Sequence, residues 1–208
     1  MHRRSLLAAL ALAPLAAAPP LPAGAVPPTP HDQSDLNHLV AFLNGIHTLR
    51  ARFEQRAPDG TISHGTVWME RPGRIRFEYD PPSPLLLIAG HGQVYFHDSE
   101  LNQTSKIALS RTPLSILLAD RVTFSGPVTV TDIQRLPNEI QVSLVRTANP
   151  GEGLLAMVFS LTPLNLWQWA VVDAQHKITR VTLLNMQVGG RFDPNLFTFT
   201  DPSASPGR

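Results

Sequence analysis

The residue types that could do chemistry are present, but not in arrangements that would let them. Eight histidines are spread over 208 residues. His2 precedes the first apolar run, and His31, His38, His47, His64, His91, His97 and His176 fall at spacings that fit no zinc motif. Cysteine is absent, which removes a thiol nucleophile, a disulfide framework and the attachment point of a lipid anchor. No Gly-x-Ser-x-Gly elbow and no phosphate-binding loop occurs, and the carboxylates fall mostly in turns or on the wet side of alternating runs. The expectation is a protein that is not an enzyme and that carries neither metal nor cofactor. What stands out instead is a cluster of guanidinium groups, Arg71, Arg74 and Arg76, around the turn Pro72-Gly73. A guanidinium presents five donors in a planar fork, suited to gripping carbonyls and carboxylates. By position alone Arg71 reads as a solvated residue at a strand end.

The elements that position these residues begin behind a leader. Arg3 and Arg4 precede an apolar stretch from Leu6 to about Ala18, followed by small residues, which is signal-peptide anatomy. Pro19 spoils cleavage after Ala18, so residues 1–25 are read as a signal peptide removed after Ala25. Arg3-Arg4 is compatible with either a general or a twin-arginine export route. Residues 26–33 are a Pro-rich mobile segment, 34–200 one domain and 201–208 a flexible tail. Without Arg3 and Arg4 the balance is 15 basic against 16 acidic residues, so no basic face points to nucleic acid. The expected location is the periplasm, and the expected state a soluble monomer.

Ser34 as N-cap, Asp35 in the first turn and Leu36, Leu39, Val40 and Leu43 at helical spacing predict a helix over 35–45, closed by Gly45. From Leu49 the period changes to two. Leu49, Ala51, Phe53 and Gln55 alternate with Arg50, Arg52, Glu54 and Arg56, and Ile75, Phe77 and Tyr79 with Arg74, Arg76 and Glu78. Further strands are predicted over 61–70, 85–88, 93–97, 103–107, 128–135, 140–147, 154–161, 166–173 and 178–188. Thr112 as N-cap with Pro113 at the first helical position predicts a short oily helix through Leu114, Leu117 and Leu118. No βαβ alternation occurs. The fold class is mainly β (α+β): a single curved antiparallel sheet forming a half-open β-barrel, its concave face covered by helices. Phe53, Ile75, Phe77, Tyr79, Leu87, Leu117, Leu118, Met157 and Phe159 then either pack as a core or line a cavity. Taken singly each reads as core, whereas as a set they offer more apolar surface than two short helices can cover.

Several blocks, in order, resemble the outer-membrane lipoprotein carrier family (LolA): Leu49-x-Ala51-x-Phe53-x-Gln55 after a leading helix, the run from Trp68 to Pro82, Gly92-x-Val94-Tyr95-x-x-Asp98, and Gly190 to Phe199. The resemblance implies a cavity under the helices that holds acyl chains of lipoproteins. These would be received from an inner-membrane ABC transporter and delivered to a lipid-anchored outer-membrane receptor. It also implies that Arg71, the arginine before Pro, latches the helical lid over the empty cavity. A lipid- or lipoprotein-sensing module on the same scaffold, or a carrier of another hydrophobic ligand such as a glycolipid, are the alternative readings.

Overall fold

Period-two alternation becomes eleven antiparallel strands in the computed structural model, which describes residues 29–200. The expected signal peptide and the 201–208 tail lie outside the described residues. The strands are β1 (Thr48–Arg56), β2 (Ile62–Glu70), β3 (Arg74–Tyr79), β4 (Leu85–Gly90), β5 (Gln93–Asp98), β6 (Gln103–Ala108), β7 (Val128–Leu136), β8 (Glu139–Arg146), β9 (Leu154–Leu161), β10 (Leu164–Val172) and β11 (Ile178–Val188). They form one open, curved sheet in the order β6-β5-β4-β3-β2-β1-β11-β10-β9-β8-β7. Two meanders are thus joined where β1 pairs with β11, with Phe53 opposite Leu183. The sheet has two free edges, β6 and β7.

Two helical pieces lie against the inner face. The first, α1 (Pro30–Asn44), buries Leu36, Leu39 and Leu43. It starts earlier than the sequence predicts, and the cap is Thr29 rather than Ser34. Thr29 and Asp32 form a reciprocal capping box, and Pro30 stands at the first helical position, where its missing N–H costs nothing. Residues 30–33, expected to be a mobile tether, therefore belong to the helix. The Thr29 hydroxyl and backbone N–H, with Arg135, hold the Asp32 carboxyl down to about 2.

The second piece, α2 (Leu114–Leu117), is a single turn with Pro113 as its N-cap. Thr112 does not cap it. Its hydroxyl donates backwards to Leu109 C=O at 2.9 Å, closing a 3-10 turn over Leu109–Arg111. Because α2 is so short, the chain after it completes the cover with buried Val122 and Phe124.

The inner face and its cover form one continuous apolar cluster. A smaller cluster lies on the outer face, where a 3-10 turn over Pro194–Phe197 crosses β3 and β4. Phe197 and Ile88 are buried there, and Phe199 stacks on Tyr95 at 4.9 Å between centroids. The turn crosses so closely that a Cβ on Gly90 would lie 2.4 Å from the Phe197 carbonyl oxygen.

Phe53, fully buried, meets Phe77 and Tyr79 edge-on at 5.1 and 5.2 Å. Room for its ring comes from Gly65 directly across the β1–β2 ladder. A Cβ there would sit 2.6 Å from Phe53 Cε1 and 2.1 Å from the Glu78 backbone oxygen, which the strand pairing fixes. Gly65→Ala should therefore cost about 3 kcal/mol of unfolding free energy in chemical denaturation. A loss within the range of an ordinary surface substitution would show that β3 yields without cost.

Candidate functional site

The β2–β3 turn, Arg71-Pro72-Gly73, lies between the two covering pieces and is bonded to both. Arg71 N–H donates to His47 C=O at 2.8 Å, and Gly73 N–H donates to Leu118 C=O at 2.8 Å, just beyond α2. The Arg71 guanidinium donates through Nη2 to Leu43 C=O in the last turn of α1. The last carbonyls of a helix lack intrahelical partners and carry its negative dipole end. The last turn of α1 contains no basic residue, so the turn of the sheet supplies the positive charge instead. Arg71 is only 7% exposed. Burial lowers the pKa of its guanidinium, and its Nε has no hydrogen-bond partner.

The neighbouring arginines are employed elsewhere. Arg74 pairs with Glu70 at 2.7 Å and lies over the Phe197 ring at 5.7 Å. Arg76 pairs with Glu78 at 3.0 Å and donates to Leu196 C=O at 3.4 Å. Both therefore serve the outer face, and of the three arginines Arg71 is the one that reaches α1.

A further tie was not legible in the sequence. Asn44, the last residue of α1, donates through Nδ2 to Val122 C=O and accepts from Val122 N–H through Oδ1, both at 2.9 Å. The side-chain amide mimics a strand partner for one residue of the segment after α2, so the two covering pieces are joined to one another. An Asn before a helix-ending Gly carries no sequence signal for such a role.

Most of the predicted inner residues meet beneath this cover. Phe53, Ile75, Phe77, Tyr79, Leu117, Leu118, Met157 and Phe159 are buried in one cluster, and Leu87 is half-buried at its margin. Phe42 of α1 meets Phe159 edge-on at 6.3 Å, and Phe77 meets Trp169 at 6.3 Å. Tyr79 O–H donates to Gln55 Oε1 at 2.9 Å, and burial pushes its phenol up to about 12.

Towards the β6 edge the cover runs out. Along the row Ile75, Ala89, Val94 and Ile107, exposure goes from 0% and 0% to 8% and then 44%. The next row, Phe77, Leu87 and Phe96, passes from buried to half-buried to 39% exposed. An apolar track on the inner face thus emerges from beneath the cover at Phe96 and Ile107. Neither residue stood out in the sequence, although the alternation Val94, Phe96 against Tyr95, His97 places Phe96 on the inner face. On the opposite side, a groove of about 500 Å³ lies between α1 and the far meander, lined by His38, Leu39, Phe42, Ile140, Leu161 and Leu164 among others. No group of three or more His, Asp or Glu that could hold a metal exists among the described residues, and no helix there is long and apolar enough to cross a membrane.

The family model "Outer membrane lipoprotein carrier protein LolA" matches residues 44–200. An outer-membrane lipoprotein carrier protein of Methylococcus capsulatus is 27% identical over 176 residues, covering 80% of this chain and 84% of the relative. One of Nitrosomonas europaea is 26% identical over 185 residues, covering 84% and 89%. Among solved structures, a LolA superfamily protein of Nitrosomonas europaea aligns over 79% of this chain and 97% of its own, with 8% identity and a TM-score of 0.44.

Two predictions follow from the geometry. Asn44→Ala removes both bonds to Val122 and should lower stability by about 2 kcal/mol, with faster hydrogen exchange at the Val122 amide. An unchanged exchange rate would mean that the segment after α2 is held without Asn44. The raised Tyr79 phenol disfavours its ionised form in the folded state. It contributes nothing to the pH dependence of stability below the ordinary tyrosine value of 10.0 and costs stability as pH climbs towards about 12. Tyr79→Phe should abolish on the order of 2–3 kcal/mol of this alkaline loss. Denaturation series at pH values across that window check it.

Proposed function

Because the chain belongs to the LolA family of outer membrane lipoprotein carrier proteins, we propose that it is a periplasmic carrier that takes up the acyl chains of lipoproteins. On this reading cargo arrives from an inner-membrane ABC transporter and leaves to a lipid-anchored outer-membrane receptor, and the chain works as a monomer without catalysing a reaction. The observation that carries the proposal is the apolar track on the inner face, running from exposed Phe96 and Ile107 to buried Phe77 and Ile75 beneath a cover held by one buried cation. Acyl chains would enter on this face and displace Leu36, Leu39 and Leu43 of α1 from the sheet. Phe53, Ile75, Phe77, Tyr79, Leu87, Leu117, Leu118, Met157 and Phe159 are then the surface exchanged between lid and cargo.

On this reading Arg71 is the lid latch, and its bond to Leu43 C=O in the last turn of α1 supports that role. A charge-assisted hydrogen bond to a carbonyl is worth roughly 1.5–3 kcal/mol, so closure would compete with cargo and promote release. Arg71→Leu should still load a triacylated lipopeptide, yet release it roughly 10- to 100-fold more slowly to a receptor or acceptor vesicle. Its overall fold should persist, since the strand ladders of the sheet do not depend on this bond. Arg74→Leu should release like the parent protein. Phe96→Glu, at an exposed site, should leave stability nearly unchanged and weaken lipopeptide binding about tenfold or more. Equal binding by Phe96→Glu and equal release by Arg71→Leu would together refute the carrier reading of this face.

A further inference from the structure

The two ends of α1 are fastened by different physics. Its C-terminal end runs through Gly45, Ile46 and His47 directly into β1, and both the Arg71 bond to Leu43 and the Asn44 pair with Val122 lie there. Its N-terminal end is held by Arg135 of β7, which reaches Asp32 Oδ1 and Asp35 Oδ2, each at 2.7 Å. Arg135 stands opposite Ile140, so it shares the inner face with that buried residue and points to the helix. His31 Nε2 lies 3.8 Å from the same Asp35 carboxylate. β7 is a free edge of the sheet, bonded only to β8.

The length of α1 separates the two fastenings. α1 has 15 residues and is roughly 20 Å long at about 1.5 Å per residue. A swing of about 10° around Gly45 would carry the Asp32 end through roughly 3 Å but Leu43 through well under about 1 Å. Outward motion therefore breaks the Arg135 contacts first. The groove between α1 and the far meander includes Asp35 in its lining, and Arg135 bonds to that carboxylate.

We infer that Arg135 is a second latch, a positioning residue that clasps the swinging end of α1 to the β7 edge of the sheet. This rests on the carrier reading. The inner latch is a buried cation on a neutral carbonyl and is insensitive to salt. The outer clasp joins partly exposed charges, which mobile ions screen. Arg135 thereby sets how readily α1 swings from the sheet, while Arg71 sets how strongly the closed state expels cargo.

The test uses the lack of native cysteine. Spin labels on Ser34→Cys in α1 and Gln134→Cys in β7 read the distance across the clasp by electron–electron double resonance, without ligand. Raising NaCl from about 50 to about 500 mM should shift the distribution outward by about 3 Å. Arg135→Gln should be shifted already at low salt and respond to salt no further. Arg135→Glu combined with Asp35→Arg should bring the distance back. At low salt Arg135→Gln should load a triacylated lipopeptide about fivefold faster than the parent protein, and the difference should vanish at high salt. Distances that ignore both salt and Arg135→Gln would overturn the inference, and the salt series on the parent protein decides it even if a variant does not fold. Failure of the parent protein to bind lipopeptide would count against the carrier reading alone.

Discussion

A guanidinium with one carbonyl partner and no carboxylate is expensive to bury, and the arrangement of this molecule depends on its being buried nonetheless. An open sheet of eleven strands satisfies its own backbone but does nothing to cover its inner face. A four-residue α2 and a single longer helix must do so. Arg71 makes that cover specific: its backbone fixes the turn to His47, and its side chain neutralises the negative end of α1 at Leu43. Removing this cation from water offsets much of what its hydrogen bond to Leu43 returns, so the bond favours the docked α1 without making it deeply stable. A lid that opens, as proposed, would benefit from that balance.

The fold was legible because period-two alternation is strong where one face is buried and the other wet. Ile75, Phe77 and Tyr79 against Arg74, Arg76 and Glu78 left no choice of face, and every predicted strand exists with small shifts at its ends. The helix starts were less legible because capping residues compete. Ser34 and Thr29 are both good caps, and what decided for Thr29 was the reciprocal bond with Asp32 together with Pro30 in the first turn. Thr112 before Pro113 carries a similar signal, but its hydroxyl is taken by Leu109 C=O.

Within the candidate site, Arg71 could be singled out only through the Trp68 to Pro82 block, since its burial depends on α1 returning across a sheet whose curvature no local pattern encodes. Asn44 and Arg135 were illegible for the same reason. Asn44 meets Val122 across 78 positions and Arg135 meets Asp35 across 100, and a single sequence does not register such pairings. The outer cluster of Ile88, Tyr95, Phe197 and Phe199 was hidden because β4 is apolar on both faces, so alternation failed just where a second layer covers it.

The energetics of exchange explain why a self-closing face suits the proposed task. Each buried methylene contributes about 0.8 kcal/mol, so an acyl chain of about sixteen carbons would gain on the order of 12 kcal/mol on a dry, preformed surface. A carrier with that affinity would never let go. Here the same surface is already occupied by Leu36, Leu39 and Leu43, each worth roughly 1.5–3 kcal/mol when buried. On the proposed reading cargo would have to replace these contacts and the latch bond before it gained its own, so much of the gross burial energy would be exchanged rather than won, and apparent affinity would fall accordingly. The apolar residues that would make the inner face attractive to acyl chains are therefore the same ones that, through α1, would limit how tightly it holds them.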